Sequence, residues 1–231
     1  MHLDVLAAVG DEMFIGHFGV ALAAKKVAPR TSLGVLVLAA QFADLLWPIL
    51  LLAGIEHVEI VPGITRVSPF DFTDYPISHS LLMLLVWSVV VGGIYYALRR
   101  YRRGALVIAA AVISHWILDF IVHRPDLPLR PGGELRLGLG LWNSWPASIA
   151  VEVLFFGGGL WIYLSSTRAR DNVGRYGFWS LMALIFFGWI STLFAGPPPD
   201  VHSLAWGALL MWITVPWAWW ADKHRALTSK A

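Results

Sequence analysis

Seven apolar stretches dominate this chain, and they contain almost no Lys or Arg. A helix that crosses a bilayer needs about 20 mainly apolar residues, and backbone groups in lipid must be paired within the segment, so these stretches are expected to be helices. The predicted spans are 11–25, 33–54, 79–98, 104–122, 146–166, 176–195 and 202–221. We therefore predict an all-α polytopic transmembrane helix bundle, with residues 1–231 forming a single membrane domain. The first span is short and begins with Asp11 and Glu12, so its full crossing is left open.

Composition excludes several other classes of protein. Hydrophobic residues make up 58% of the chain and charged residues 14%, against roughly 45–50% and about 25% in soluble domains. The chain has no cysteine, which excludes disulfides, Cys-ligated zinc and thiol catalysis. The N-terminal segment lacks a basic region before its apolar run, so we expect the first span to be retained rather than cleaved.

The distribution of basic residues predicts the orientation of the bundle. Thirteen of the 17 Lys and Arg residues fall in alternate loops and in the C-terminal tail. The positive-inside rule places these regions in the cytoplasm, so the N-terminus is expected outside and the C-terminus inside. Topology therefore explains the net charge of +2, and we expect no nucleic-acid partner. Pro48 lies inside the second span and predicts a kink near Asp44.

Ionisable residues inside the spans are few, and their types are those found in metal sites. Charged groups in a membrane span are costly and indicate a functional site by default. Imidazole and carboxylate are ligands for Zn, Mn or Fe, and they also relay protons. In the predicted topology all of these groups lie in the outer half of the bundle, and none lies in the inner half. They are His17, Asp44, His79, His115, Asp119 and Glu152.

Spacing brings some of these residues together. His115, Asp119 and His123 lie at i, i+4 and i+8, which places them along one helix face. An H-x-x-x-D pair can bind one ion with two side chains, or the carboxylate can orient the imidazole. His79 and Asp44 could complete the ligand set from neighbouring spans. His123 and His202 lie nearer to water and are expected to be ordinary interface residues.

The predicted metal ligands are therefore His17, Asp44, His79, His115 and Asp119. Glu152 lies at a similar depth and is predicted to be the general base. For each residue alone, the simpler interpretation is a satisfied hydrogen bond between helices.

The outer loops contain further candidates. Ser78 and Ser80 flank His79, and capping of the third span is the first interpretation, with a nucleophilic Ser80 as the second. Asp71 or Asp74 could reach back over the site as a ligand or a base, although acids in loops are usually solvated. Basic residues in the loop 123–145 could attract an anionic substrate.

The motif-bearing half of the chain, residues 13–123, resembles a known family. The relevant segments are Gly16-His17-Phe18-Gly19 in the first span, Asp44 in the second, Ser78-His79-Ser80 at the start of the third, and His115 with Asp119 in the fourth. They resemble the bacterial inner-membrane proteins described as membrane-bound metal-dependent hydrolases, the YdjM-like family. The resemblance implies a metal site in a multi-pass protein of the bacterial inner (cytoplasmic) membrane.

The chain differs from the family at one motif, and the resemblance does not extend to its last three spans. Family members commonly have a D-x-D-H-like cluster at the end of the second span, where this chain has Gln41-Phe42-Ala43-Asp44. A single acid favours a mononuclear or altered site over a dinuclear one. The region 146–221 adds three further transmembrane helices and contains no motif of the family.

Three functions remain open from the sequence. The first is a membrane-embedded hydrolase with a divalent ion, Zn or Mn, acting on a lipid phosphate or lipid-linked ester from the outer leaflet. The second is a proton- or ion-coupled transporter, which needs polar groups through the whole membrane thickness. The third is a non-catalytic scaffold held together by a polar network. Membrane lipid is the expected partner in each case, and the sequence gives no oligomeric state.

Overall fold

The computed structural model describes residues 15–228, which are mostly helical. The helices are α1 (Ile15–Val27), α2 (Leu33–Ala40), α3 (Phe42–Leu52), α4 (Leu81–Arg99), α5 (Arg102–Val122), α6 (Trp145–Ser166), α7 (Phe178–Phe194), α8 (Val201–Leu209) and α9 (Thr214–Lys223). Three short antiparallel strand pairs join the helices. They are β1 (His57–Ile60) with β2 (Phe70–Asp74), β3 (Leu127–Pro128) with β4 (Arg136–Leu137), and β5 (Thr167–Ala169) with β6 (Arg225–Leu227).

Long apolar helices fit the prediction of a helical membrane protein, by their length and composition. Five segments of the described residues are long and apolar enough to span: Leu81–Arg99, Arg102–Val122, Trp145–Ser166, Val173–Phe194 and Val201–Lys223. The bent pair α2–α3 makes a sixth if it is one span. The predicted first span is described only from Ile15, as the 13-residue helix α1. Asp11 and Glu12 lie outside the described residues, and the orientation of the bundle stays a prediction.

The bend in the second span confirms a predicted kink but shifts its position. The chain departs from helical geometry at Gln41 (φ −96°, ψ 13°), and α2 and α3 meet at 59°. The break therefore precedes Asp44 by a few residues, so that Asp44 lies in the first turn of α3. Pro48 remains inside α3. Trp212 of another helix donates its indole N–H to the Leu45 carbonyl at 3.0 Å, which satisfies a backbone group beside the proline-disturbed turn.

Two glycines allow α1 and α6 to cross at backbone contact. A Cβ atom at Gly19 would overlap the carbonyl oxygen of Phe155, and one at Gly159 would overlap the carbonyl oxygen of Gly19. Small residues of this kind are the usual means of close helix approach in membranes. The crossing brings the start of α1 against Glu152, whose Oε2 accepts the Gly16 N–H at 2.6 Å. It therefore sets the depth of His17 relative to α6.

An aromatic cover closes the end of the bundle where α5 ends and α6 begins. It consists of Phe72, Tyr75, His123 and Trp142, all of which are buried. The His123 ring lies 4.1 Å from Trp142 and 5.0 Å from Phe72, measured between centroids. The prediction that His123 is an interface residue near water is therefore wrong, because these rings and the Asp126 carboxylate, 3.0 Å from its Nδ1, enclose it.

Polar contacts link the cover to the loops around it. Tyr75 donates its hydroxyl to Asp126 Oδ1 at 3.3 Å, and burial, with the Asp126 charge beside it, raises the pKa of Tyr75 well above its ordinary value. Arg124 bridges Asp126 and Asp71. These contacts join β2 to the segment that follows α5.

The opposite end of the bundle contains a buried polar network that the sequence interpretation lacks. Lys25 donates to Asp222 Oδ2 at 2.7 Å and to the Thr31 carbonyl at 2.9 Å. Asp222 also accepts the Leu33 N–H at 3.0 Å and the Tyr163 hydroxyl at 2.8 Å. The prediction that buried ionisable groups are confined to one half of the bundle is therefore wrong. Lys25 and Asp222, which lie near the ends of predicted spans, fold inward and neutralise each other.

Candidate metal centre

The five predicted metal ligands converge on one point inside the bundle. His17 comes from α1, Asp44 from α3, His115 and Asp119 from adjacent turns of α5, and His79 from the segment that leads into α4. Each is exposed by 3% or less. One ligand atom each from His17, Asp44 and His115 lie within 4.8 Å of one another, and the same holds for His79, His115 and Asp119. The two groups share His115, so they describe a single centre.

The distances between these atoms are those expected of ligands around one ion. His115 Nε2 lies 3.2 Å from Asp44 Oδ1 and 3.2 Å from Asp119 Oδ2. His79 Nε2 lies 3.3 Å from Asp44 Oδ1, and His17 Nε2 lies 3.1 Å from Asp119 Oδ1. Atoms bound about 2.1 Å from a common ion at octahedral or tetrahedral angles are separated by roughly 3.0–3.4 Å. Four of the five close separations therefore fall in this interval, and the fifth, from His79 Nε2 to Asp119 Oδ2, is longer at 3.9 Å.

Hydrogen bonds on the far side of His115 fix which of its nitrogens faces the centre. Nδ1 lies 2.9 Å from the Ala40 carbonyl, which can only accept a hydrogen bond, so Nδ1 bears the proton. In a neutral ring, Nε2 then presents a lone pair to the oxygens of Asp44 and Asp119. A lone pair and two carboxylates repel one another unless a cation lies between them.

His79 is fixed in the same way through a serine. Ser78 donates its hydroxyl to Glu56 Oε2 at 2.5 Å, so its oxygen accepts from His79 Nδ1 at 2.7 Å. His79 Nε2 is therefore also left with a lone pair facing Asp44. An outer carboxylate or carbonyl that holds the second nitrogen of a histidine is the usual support of a metal ligand.

Glu56 supports the candidate centre through Ser78, and sequence reasoning misses it. It is 1% exposed, and besides Ser78 Oγ it accepts the backbone N–H groups of Ile77 at 2.7 Å and Ser78 at 2.8 Å. In the sequence it follows Gly54 and Ile55 after an apolar stretch, where an acid is normally solvated. The one available signal is the Ser-His pair, because a serine beside a ligand histidine requires an acceptor of its own.

The donor set of the centre fits a divalent metal ion. Within residues 15–228, the buried atoms Asp44 Oδ2, Asp119 Oδ2, His115 Nε2 and His17 Nδ1 have no hydrogen-bond partner, although buried polar atoms are normally paired. Two carboxylates and three neutral imidazoles together have the charge that one divalent cation balances. Two imidazolium ions would also balance it, and of the three possible pairs the stacking of the His17 and His115 rings, at 3.8 Å and 4°, bears on one. That stacking disfavours positive charge on both.

The three predicted catalytic residues occupy different surroundings. Glu152 is buried and lines a crevice between α5, α6 and α7 together with Ser148, Trp142 and Trp189. Its carboxylate approaches the centre through Gly16, the neighbour of His17. Glu152 is thus placed beside the ligand-bearing turn of α1.

Ser80 and Asp74 are not brought to the centre. Ser80 caps α4, accepting the Met83 N–H at 3.3 Å and donating to the Pro76 carbonyl at 2.5 Å, which agrees with the capping interpretation. Asp74 is exposed at the end of β2, where its carboxylate lies 3.8 Å from His57 Nδ1. Asp71 is held by Arg124.

Replacing Ser78 by alanine is expected to weaken metal binding about 10–100-fold, the usual effect of losing an outer partner of a ligand histidine. The Glu56→Gln variant should act in the same direction, because it removes the charge behind the Ser78–His79 pair. Affinity is measured by competition with a chelator of known strength.

The matched control for this prediction is Ser80→Ala, two residues along the chain. It should lower stability by about 1 kcal/mol through loss of the cap and leave metal affinity unchanged. Equal affinity losses in Ser78→Ala and Ser80→Ala would contradict a specific role for Ser78.

Comparison with known proteins does not assign this chain to a family. No protein-family model, curated protein or solved structure matches it. The likeness to the YdjM-like family therefore stays a resemblance in the motifs of residues 13–123.

Proposed function

We propose that this chain is a membrane-embedded metal-dependent hydrolase of the bacterial inner membrane, with its pocket open to the outer leaflet. One observation supports the proposal above all others. Two histidines, His79 and His115, are held from behind so that their Nε2 lone pairs face the same two carboxylates. Such an arrangement is stable around a divalent cation and costly without one.

We assign the residues of the centre two roles, metal binding and general-base catalysis. His17, His79 and His115 with Asp44 and Asp119 would hold a Zn or Mn ion, and the two carboxylates would balance its charge. A bound ion of this kind supplies Lewis acidity that activates water and polarises an ester or phosphoester bond. Glu152 is the proposed general base, since it is a buried carboxylate next to the ligand-bearing turn.

The surroundings of Glu152 favour a lipid as substrate. Its crevice is lined mainly by apolar and aromatic side chains, among them Trp142, Trp189 and Leu193, with Ser148 as a further polar group. The crevice has a volume of only about 10 Å³, room for about one water molecule, so an acyl or isoprenoid chain would lie outside it, against the apolar outer surface of the helices. We therefore propose a lipid phosphate or a lipid-linked ester as the substrate class.

A transporter is less well supported, because helix α1 offers no continuous polar path between the metal centre and the opposite end of the bundle. His17 and Lys25 lie about 12 Å apart along α1 at 1.5 Å per residue. Between them the buried side chains of α1 are apolar, namely Phe18, Ala21, Leu22 and Ala24. The tight Gly19–Gly159 crossing lies on the same stretch.

Hydrolysis is tested with purified protein in lipid nanodiscs, assayed on lipid phosphomonoesters, phosphodiesters and carboxylic esters. We expect turnover with added Zn or Mn and none after chelation. The Glu152→Gln variant should lose about 100-fold or more in kcat, the usual contribution of a general base, and it should keep its metal.

Asp74→Asn is the control for that experiment, because Asp74 lies outside the centre, and it should retain turnover. A metal-loaded protein that cleaves no ester of the panel, yet supports a solute flux in liposomes that depends on Asp44, would replace the hydrolase proposal by the transporter.

A further inference from the structure

A second cavity lies at the end of the bundle opposite to the metal centre. It has a volume of about 390 Å³ and is bounded by the end of α1, the end of α9 and the β5–β6 pair. Its lining combines three basic residues with one acid and an apolar edge. The lining residues that matter here are Lys25, Arg170, Arg225, Asp222, Thr167 and Leu227.

The single acid of the lining is already neutralised. Asp222 accepts hydrogen bonds from Lys25, the Tyr163 hydroxyl and the Leu33 N–H, so its carboxylate is held by three donors. The Lys25–Asp222 pair contributes no net charge to the cavity. The positive charges of Arg170 and Arg225 therefore give the cavity its net charge.

Arg225 is a buried cation whose hydrogen-bond partners are all neutral, and the Asp222 carboxylate interacts with it only from a longer distance. It is 8% exposed, and its guanidinium donates to Thr167 Oγ1, to the Thr167 carbonyl and to the Gly174 carbonyl. It also lies 4.6 Å from the centre of the Phe178 ring. Among residues 15–228 no carboxylate lies within 4.0 Å of it. A buried charge of this kind is costly without a counter-ion.

We propose that this cavity binds a phosphate-bearing anion, with the headgroup of an anionic membrane lipid as its main source. Arg225 at the base and Arg170 at the exposed rim provide two positive charges, and guanidinium groups match the oxygens of phosphate. Leu227 borders the cavity and is 42% exposed, which suits the start of an acyl chain. Lys223 packs over the Trp219 ring at 3.5 Å close by, and such aromatic belts mark the headgroup level of a membrane.

The site is independent of the proposed hydrolase centre. It lies at the other end of α1, and basic pockets at the cytoplasmic side of membrane proteins are known to bind anionic headgroups. The predicted orientation of the bundle places this end in the cytoplasm.

The test is isothermal titration calorimetry of the full chain in a neutral detergent. The probes are short-chain phosphatidylglycerol, short-chain phosphatidylcholine and inorganic phosphate. We expect saturable binding of phosphatidylglycerol and at least tenfold weaker binding of the zwitterionic lipid. Inorganic phosphate bound as tightly as phosphatidylglycerol would identify a soluble phosphate as the source instead.

Arg170→Glu should weaken phosphatidylglycerol binding about thirtyfold. The substitution removes the attraction between Arg170 and the anionic headgroup, which is of the size usual for a basic residue at a membrane surface, and it adds a repulsion of similar size. Arg170→Gln should weaken it about fivefold. The matched control is Arg168→Glu, which makes the same charge change at an exposed residue of β5 outside the cavity lining.

Thermal unfolding of each variant confirms that it is folded. Equal losses in Arg170→Glu and Arg168→Glu, or no saturable binding of either anion to the wild-type protein, would overturn the proposal.

Discussion

Protein with His115 or Asp119 replaced by alanine is expected to be purified without bound metal, whereas the wild-type chain should contain about one divalent ion. His115 belongs to both ligand groups, and its Nε2 lies 3.2 Å from each of the two carboxylates. Loss of an outer partner alone typically costs 10–100-fold in metal affinity, so loss of this ligand should cost more than 100-fold. Elemental analysis of the purified proteins measures the outcome.

The matched control is His202→Ala, which removes an exposed histidine at the start of α8. It should keep the metal content of the wild type. A folded His115→Ala protein with an unchanged metal content would show that the ion, if any, is bound elsewhere. Wild-type protein free of metal, with a thermal stability indifferent to chelators, would favour the scaffold.

Gly159→Ala is expected to lower the free energy of unfolding by about 2 kcal/mol, because an overpacking cost of about 3 kcal/mol, the upper end of the usual range, is partly offset by about 1 kcal/mol of helix propensity. The added methyl group meets the backbone of α1 at Gly19 rather than a side chain that could turn away. Helix α1 must then move from α6, which separates Gly16 from Glu152 and displaces His17. Thermal unfolding in detergent measures the stability, and metal content should fall with it.

Gly158→Ala is the control for this substitution because it lies next to Gly159 on the same helix. A Cβ atom at Gly158 meets no other atom within 4 Å. Both substitutions gain the same helix propensity, about 1 kcal/mol for Gly to Ala, so the difference between them isolates the overlap with α1. Equal melting temperatures would mean that the two helices do not meet at backbone contact.

The ligand residues could be predicted from the sequence because local rules determine much of their placement. His115 and Asp119 share a helix face by their spacing alone. The apolar spans and the positive-inside rule place Asp44 and His79 in the same, outer half of the bundle before any fold is known. A polar residue in an apolar span is conspicuous, so the sequence pattern identifies it without a structure.

The supporting residues could not be predicted, because their partners are brought to them by tertiary folding. Glu56 meets Ser78 across 22 residues of loop and hairpin, and nothing in the loop sequence distinguishes it from a solvated acid. Lys25 and Asp222 are 197 residues apart, and both lie next to charged loops where exposure is the natural expectation. The bend lies at Gln41 and not at Asp44, where it was expected, for a related reason. A proline indicates that a helix is disturbed, but it does not indicate at which turn the helix bends.

The aromatic cover has a consequence for the rate at which the centre exchanges its ion. Phe72, Tyr75, His123 and Trp142 pack at one end of a cluster that is almost inaccessible to solvent, with the Tyr75 ring 5.1 Å from the His79 ring, so an ion could pass through this end of the bundle only when these rings separate. Affinity and residence time then become different properties, because the ligands determine the first and the opening of the cover determines the second. An ion acquired during folding would stay bound far longer than its equilibrium constant alone suggests.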